Sequence, residues 1–128
     1  MDPALRQLVR DRAGNRCEYC LIHQDDDPFY RFHVEHIVSR QHGGTDDDQN
    51  LCWSCHHCNS HKGTNLTTID EVGQQPVRLF NPRIDQWHEH FVLYDTEVVG
   101  ITNIGRATLK LLQMNAPRRK NLRRERIE

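Results

Sequence analysis

Residues 55–63 read CHHCNSHKG, and residues 17–20 read CEYC. Together they carry two C-x-x-C pairs, Cys17 with Cys20 and Cys55 with Cys58. Each pair suits a knuckle turn that points both sulfurs the same way, and two knuckles make a tetrahedral four-thiolate zinc site. A redox C-x-x-C would need a thioredoxin-like βαβ context, which the flanking sequence lacks. The segment between the knuckles is long, so the clip closes a large loop, where such a clip is thought to help most. Zinc at such a site stabilises comparable small metal-folded units by about 10 kcal/mol. Cys52 also stands at C-x-x-C spacing from Cys55, and spacing alone leaves it open as a ligand. Its place in the apolar run Leu51-Cys52-Trp53 favours a buried structural thiol. His56 and His57 are alternative ligands for which four thiolates leave no vacancy.

Working outward, YRFHVEHIV (residues 30–38) alternates as a strand does, with Phe32, Val34 and His36 on one face. RQHGGTDDDQN (residues 40–50) reads as a loop turning at Gly43-Gly44, and LCW as a second short strand. A short helix is expected from about Cys58 to Lys62. Before the first knuckle, Asp2 and Pro3 are helix-start residues, Leu5, Leu8 and Val9 share a helical face, and Gly14 ends the run. Beyond Gly63, residues 64–83 are polar and rich in turn formers. Phe91 to Tyr94 and Val98 to Ile101 form an expected hairpin turning at Asp95-Thr96. GRATLKLLQMN (residues 105–115) is helical, stopped by Asn115 and Pro117.

The chain has 128 residues, 36% hydrophobic and 27% charged, with a formal net charge of −1. That length suits one domain. No run is long and apolar enough for a membrane span or a signal peptide, so a cytoplasmic location without a membrane partner is expected. Five cysteines, most of them in C-x-x-C pairs, then point to metal rather than disulfides. Net charge alone does not advertise a nucleic-acid binder. The C-terminal run PRRKNLRRERIE does, with Arg118, Arg119, Lys120, Arg123, Arg124 and Arg126. A solvated helix end is its plainer reading.

The pattern C-E-Y-C, V-E-H-I-V, H-G-G, N-L and C-x-x-C-N-x-x-K-G, from about Cys17 to Gly63, resembles the HNH endonuclease family in its zinc-clipped form. RLFNPR, WHEHF and the helix after them look like the tails of small free-standing bacterial members. The resemblance implies an α+β fold, a ββα-metal core clipped by Cys17, Cys20, Cys55 and Cys58. An N-terminal helix precedes it and a C-terminal hairpin-plus-helix extension follows. One domain would cover residues 1–128, with its core at about 14–65 and an extension at about 77–128 ending in the basic tail.

The resemblance also assigns roles. His36 matches the general-base histidine, and Glu35 the acidic metal ligand before it, more often aspartate. Asn50 matches the central asparagine that braces the loop and helps hold the histidine. Asn59 matches the last motif position, usually histidine but asparagine in some members. Oxygen donors at Glu35 and Asn59 suit Mg2+ or Mn2+ bound with several waters. Such an ion grips a phosphate and stabilises a departing 3′ oxygen, while a neutral His36 takes a proton from water. Arg40, Lys62, Arg118, Arg119 and Lys120 are expected to meet phosphate. DNA is the expected partner in preference to RNA, for a monomer or homodimer. The rival expectation is a non-catalytic zinc module binding nucleic acid or protein through its tail.

Overall fold

The computed structural model describes residues 1–127. Its elements run α1 (Pro3–Arg12), β1 (His33–His36), β2 (Leu51–Ser54), α2 (His56–Lys62), β3 (Thr67–Asp70), β4 (Gln75–Arg78), α3 (Trp87–His90), β5 (Phe91–Tyr94), β6 (Glu97–Gly100), α4 (Asn103–Leu111) and α5 (Pro117–Ile127). The architecture is α+β. Three separate two-stranded antiparallel ribbons, β1–β2, β3–β4 and β5–β6, are joined by short helices.

Local chemistry sets the boundaries. Asp2 caps α1 by accepting from the Ala4 N–H at 2.9 Å, and Pro3 opens the helix. α2 begins two residues before the expected Cys58, because the Cys55 sulfur itself caps the helix, accepting from the Cys58 N–H at 3.3 Å. The expected hairpin forms as β5–β6, with Asp95 turning the chain at φ 56°. Residues 64–83 are more ordered than their composition suggests, since β3 and β4 pair in register from Thr67↔Arg78 to Asp70↔Gln75.

β1, β2 and α2 form the ββα unit, with Glu35 opposite Cys52 and His36 opposite Leu51. One buried cluster underlies it, holding Tyr19, Phe32, Trp53, Phe80, Phe91, Leu112, Met114 and Leu122. The C-terminal elements therefore pack on the same core as the knuckles. Trp53 ties them locally, donating its indole N–H to Asn15 Oδ1 at 3.0 Å. Trp87 does the same from α3, donating to the Tyr19 carbonyl at 2.8 Å.

The basic tail is a packed helix, and this corrects the phosphate-clamp expectation for Arg119. Arg119 is 2% exposed and donates to Asp27 at 2.6 Å, so burial and a carboxylate partner occupy it. Lys120 pairs with Glu97 at 2.9 Å on the surface. Arg118 remains exposed. Among the described residues no helix is long and apolar enough to cross a membrane.

Candidate active site and metal centre

Cys17, Cys20, Cys55 and Cys58 converge, all buried, with their sulfurs within 4.8 Å of one another. Both knuckles turn a backbone N–H onto their first sulfur, Cys20 to Cys17 at 3.5 Å and Cys58 to Cys55 at 3.3 Å. Without a cation such crowding is unfavourable. Hydrogen bonds from the neighbouring thiols, Cys17 first, hold the Cys20 pKa well below the usual thiol value. The same crowding pushes Cys55 and Cys58 up. Four soft donors of this geometry fit zinc. Arg119 reaches the site from α5, its guanidinium 3.6 Å from Cys20 Sγ. Burial opposes its charge, but Cys20, Cys55 and Asp27 together hold its pKa above the ordinary arginine value. Cys52 stays apart, 3.6 Å from the Tyr19 hydroxyl, and burial raises its pKa.

The loop between β1 and β2 is built around Asn50. Its amide donates to the carbonyls of Val38 at 3.0 Å and Thr45 at 2.9 Å, and its oxygen accepts from the Val38 N–H at 2.9 Å. Asn50 thus locks both ends of the Gly43-Gly44 turn. It does not touch the His36 ring among the described hydrogen bonds. Asp46 does, with Oδ1 2.8 Å from His36 Nε2, and Arg40 grips the same carboxylate at 2.9 and 3.0 Å. These hydrogen bonds, from His36 and then Arg40, hold the Asp46 pKa below the usual carboxylate value. A carboxylate only accepts, so Nε2 carries the proton and Nδ1 keeps its lone pair. Sequence reasoning assigned this orienting task to Asn50 and missed Asp46. Its one signal was membership of the acidic run Asp46-Asp47-Asp48 beside the glycine turn.

Glu35 points elsewhere. It is 5% exposed, 2.7 Å from the Lys62 ammonium, with the Tyr19 hydroxyl donating to the same oxygen at 3.2 Å. Its other oxygen faces only the Cys52 thiol, at 3.7 Å. Burial raises the Glu35 pKa, and Lys62 opposes that rise. Lys62, itself buried, also donates to the Ile37 carbonyl at 3.1 Å. Lys62 is thus an internal counter-ion, which corrects its expected place on a phosphate. Asn59 lies one position past Cys58 on α2, half-buried, with no side-chain hydrogen bond among those described. The unengaged Asn59 carboxamide matches a hard divalent ion in kind, whereas the Glu35 carboxylate is already tied to Lys62 and Tyr19. His42 is exposed, whereas His57 and His61 are tied to backbone carbonyls of Gln113 and His57. His90 packs on Phe80 and bonds Thr102, as core packing there implies.

The HNH endonuclease family matches residues 17–65, the span that contains the knuckles, the ββα unit and the Asn50 loop. These residues match the model of an HNH endonuclease domain. A curated relative, the Septu protein PtuB of Bacillus thuringiensis, is 25% identical over 115 residues, 88% of this chain. The chain spans 42% of that relative's length. No solved structure matches significantly. The relative's aligned stretch is longer than the HNH domain, so the likeness continues into flanking elements.

Proposed function

We propose that this chain is a metal-dependent DNA endonuclease or nickase. The single observation that carries the reading is His36, half-buried on a strand end, with Nε2 held by Asp46 inside the Asn50-braced loop of an HNH domain. That arrangement leaves Nδ1 as the base. It takes a proton from a water attacking phosphorus, and the bond to the 3′ oxygen breaks to leave a 5′ phosphate. Asp46 fixes the ring and stabilises the imidazolium that forms. Arg40, 70% exposed at its side chain, is free to swing from Asp46 to a phosphate oxygen. Glu35 and Asn59 would be the protein oxygen donors to Mg2+ or Mn2+. Bound there, such an ion would supply charge stabilisation at the leaving oxygen.

The tie between Glu35 and Lys62 favours a second reading, a zinc module without catalysis, because it occupies the principal carboxylate. One experiment separates the two. Supercoiled plasmid is incubated with zinc-loaded protein and Mg2+ or Mn2+. Nicking is expected from wild type, slower by about 100-fold or more in His36→Ala, the scale of general-base loss. Absence of nicking by wild type, or equal rates, would favour the module.

A further inference from the structure

The surface beside β1 and α2 carries a feature that the proposed chemistry does not use. Phe29 and Tyr30 end the loop before β1 and stand 75% and 56% exposed. Tyr30 lies flat on the His56 ring, centroids 4.5 Å apart and planes 15° from parallel. His56 Nδ1 lies 3.2 Å from His33 Nε2, and the Arg118 guanidinium covers Phe29 at 5.0 Å. Arg6 and Arg31 complete a cluster of like charge. Burial, then His56, Arg6 and Arg31, lower the His33 pKa, and burial followed by Arg31 lowers that of Arg6.

Among the described ion pairs, none involves Arg6, Arg31, His33, His56 or Arg118. Elsewhere on this molecule most arginines have found a carboxylate. Arg6 lies over the Trp53 ring at 4.7 Å and donates to the Phe32 carbonyl at 3.2 Å, but its charge has no counter-ion among the described residues, and a polyanion would satisfy the charges here. Phosphates alone would leave the exposed rings unused, whereas unpaired bases stack on such rings. His33 and His36 mark the two ends of β1, and strand alternation over three residues turns them to opposite faces. The link to the proposed site runs through α2, where His56 sits about one turn from Asn59. Bases bound here would flank the α2 side of that site.

We infer that Tyr30 and His56, ringed by Arg6, Arg31, His33 and Arg118, form a stacking subsite for unpaired nucleotides of the substrate strand. The choice of nucleic acid rests on the nuclease reading, but binding is measurable apart from cleavage. The probe is a short fluorescein-labelled oligothymidine, read by anisotropy against zinc-loaded full-length protein carrying His36→Ala, with a duplex of equal length alongside. Adding Tyr30→Ala should weaken single-strand binding about 10-fold, within the range for one lost stacked base. The salt slope should hold, and Tyr30→Phe should restore affinity. Arg31→Ala should instead flatten the slope by about 0.7, as one lost phosphate contact does on a single strand.

Unchanged affinity in Tyr30→Ala, an equal loss on duplex, or no oligothymidine binding at all would overturn the subsite. Plasmid nicking with a Tyr30-independent affinity would sink the subsite alone. Tyr30-dependent binding without nicking would sink the nuclease reading alone.

Discussion

Gly44 has no side chain because there is no room for one. A Cβ there would lie 1.7 Å from the Val38 carbonyl oxygen and 2.9 Å from Asn50 Nδ2. The obstacle is backbone, so it cannot move aside without breaking the Asn50 clamp. Gly44→Ala should therefore cost about 2 kcal/mol or more in thermal or urea unfolding, as steric intrusions into packed sites do. It should also lower nicking, since the loop that presents Asp46 to His36 shifts. A stable, fully active Gly44→Ala protein would show that the clamp is dispensable. Individual residues were unevenly legible in the sequence. C-x-x-C spacing marked the four cysteines, because knuckle turns are local, and the family resemblance marked Asn50. Asp46 and the Glu35–Lys62 tie were hidden, because each is a pairing between elements that only tertiary docking brings together. Lys62 illustrates the reason well. Its helical spacing from Asn59 was readable, but the core side to which its ammonium turns was not.

At the scale of elements, α1 with Asp2 and Pro3 and the β5–β6 hairpin were legible, and α4 was legible as a helix though its start at Asn103, set by the Thr102 cap, was not. The β3–β4 ribbon was not. Its strands are short, polar and interrupted by Pro76, and Ile69 and Val72 stay exposed. A two-stranded ribbon has a free edge on each strand, where a missing N–H costs little. Its placement comes from charge as well as pairing: Arg106 on α4 holds Asp70 at 3.0 Å, and Arg78 on β4 holds Asp85 at 2.7 Å. Hydrogen bonds from those arginines are the largest cause lowering each carboxyl pKa. A depressed folded pKa adds stability that is complete above the unfolded value, about 3.9, and fades as pH falls through the folded one. Arg106→Ala should thus unfold at lower urea than wild type at pH 6, and the gap should narrow as pH drops below about 4. A gap that persisted unchanged to pH 2 would mean that Arg106 acts through packing alone.

For the whole molecule, the four-cysteine site and the last helix form one electrostatic unit. With zinc bound, four thiolates around a divalent ion would carry net negative charge in a buried place, which is costly unless cations answer it. α5 supplies them. Arg119 lies against Cys20 and Asp27, and Arg123 is buried on the same helix, donating to the Thr96 carbonyl at 3.2 Å. Burial lowers the Arg123 pKa, while Cys20, Cys58 and Cys17 act the other way. The basic residues that looked like a phosphate clamp thus divide by helix face. The inner ones answer sulfur, and Arg118 on the outer face remains available to a ligand. Groups that contact metal ligands in this way commonly account for about 10- to 100-fold in metal affinity. Arg119→Leu should therefore release zinc to a chromophoric chelator at concentrations about 10-fold lower or more, and Arg118→Ala should match wild type. Because Arg119 joins the chain's end to its first knuckle, the same variant should expose α5 to protease while zinc is still bound. Equal zinc affinity in Arg119→Leu and wild type would mean that the thiolates need no counter-charge from α5, and the tail would return to being a surface helix.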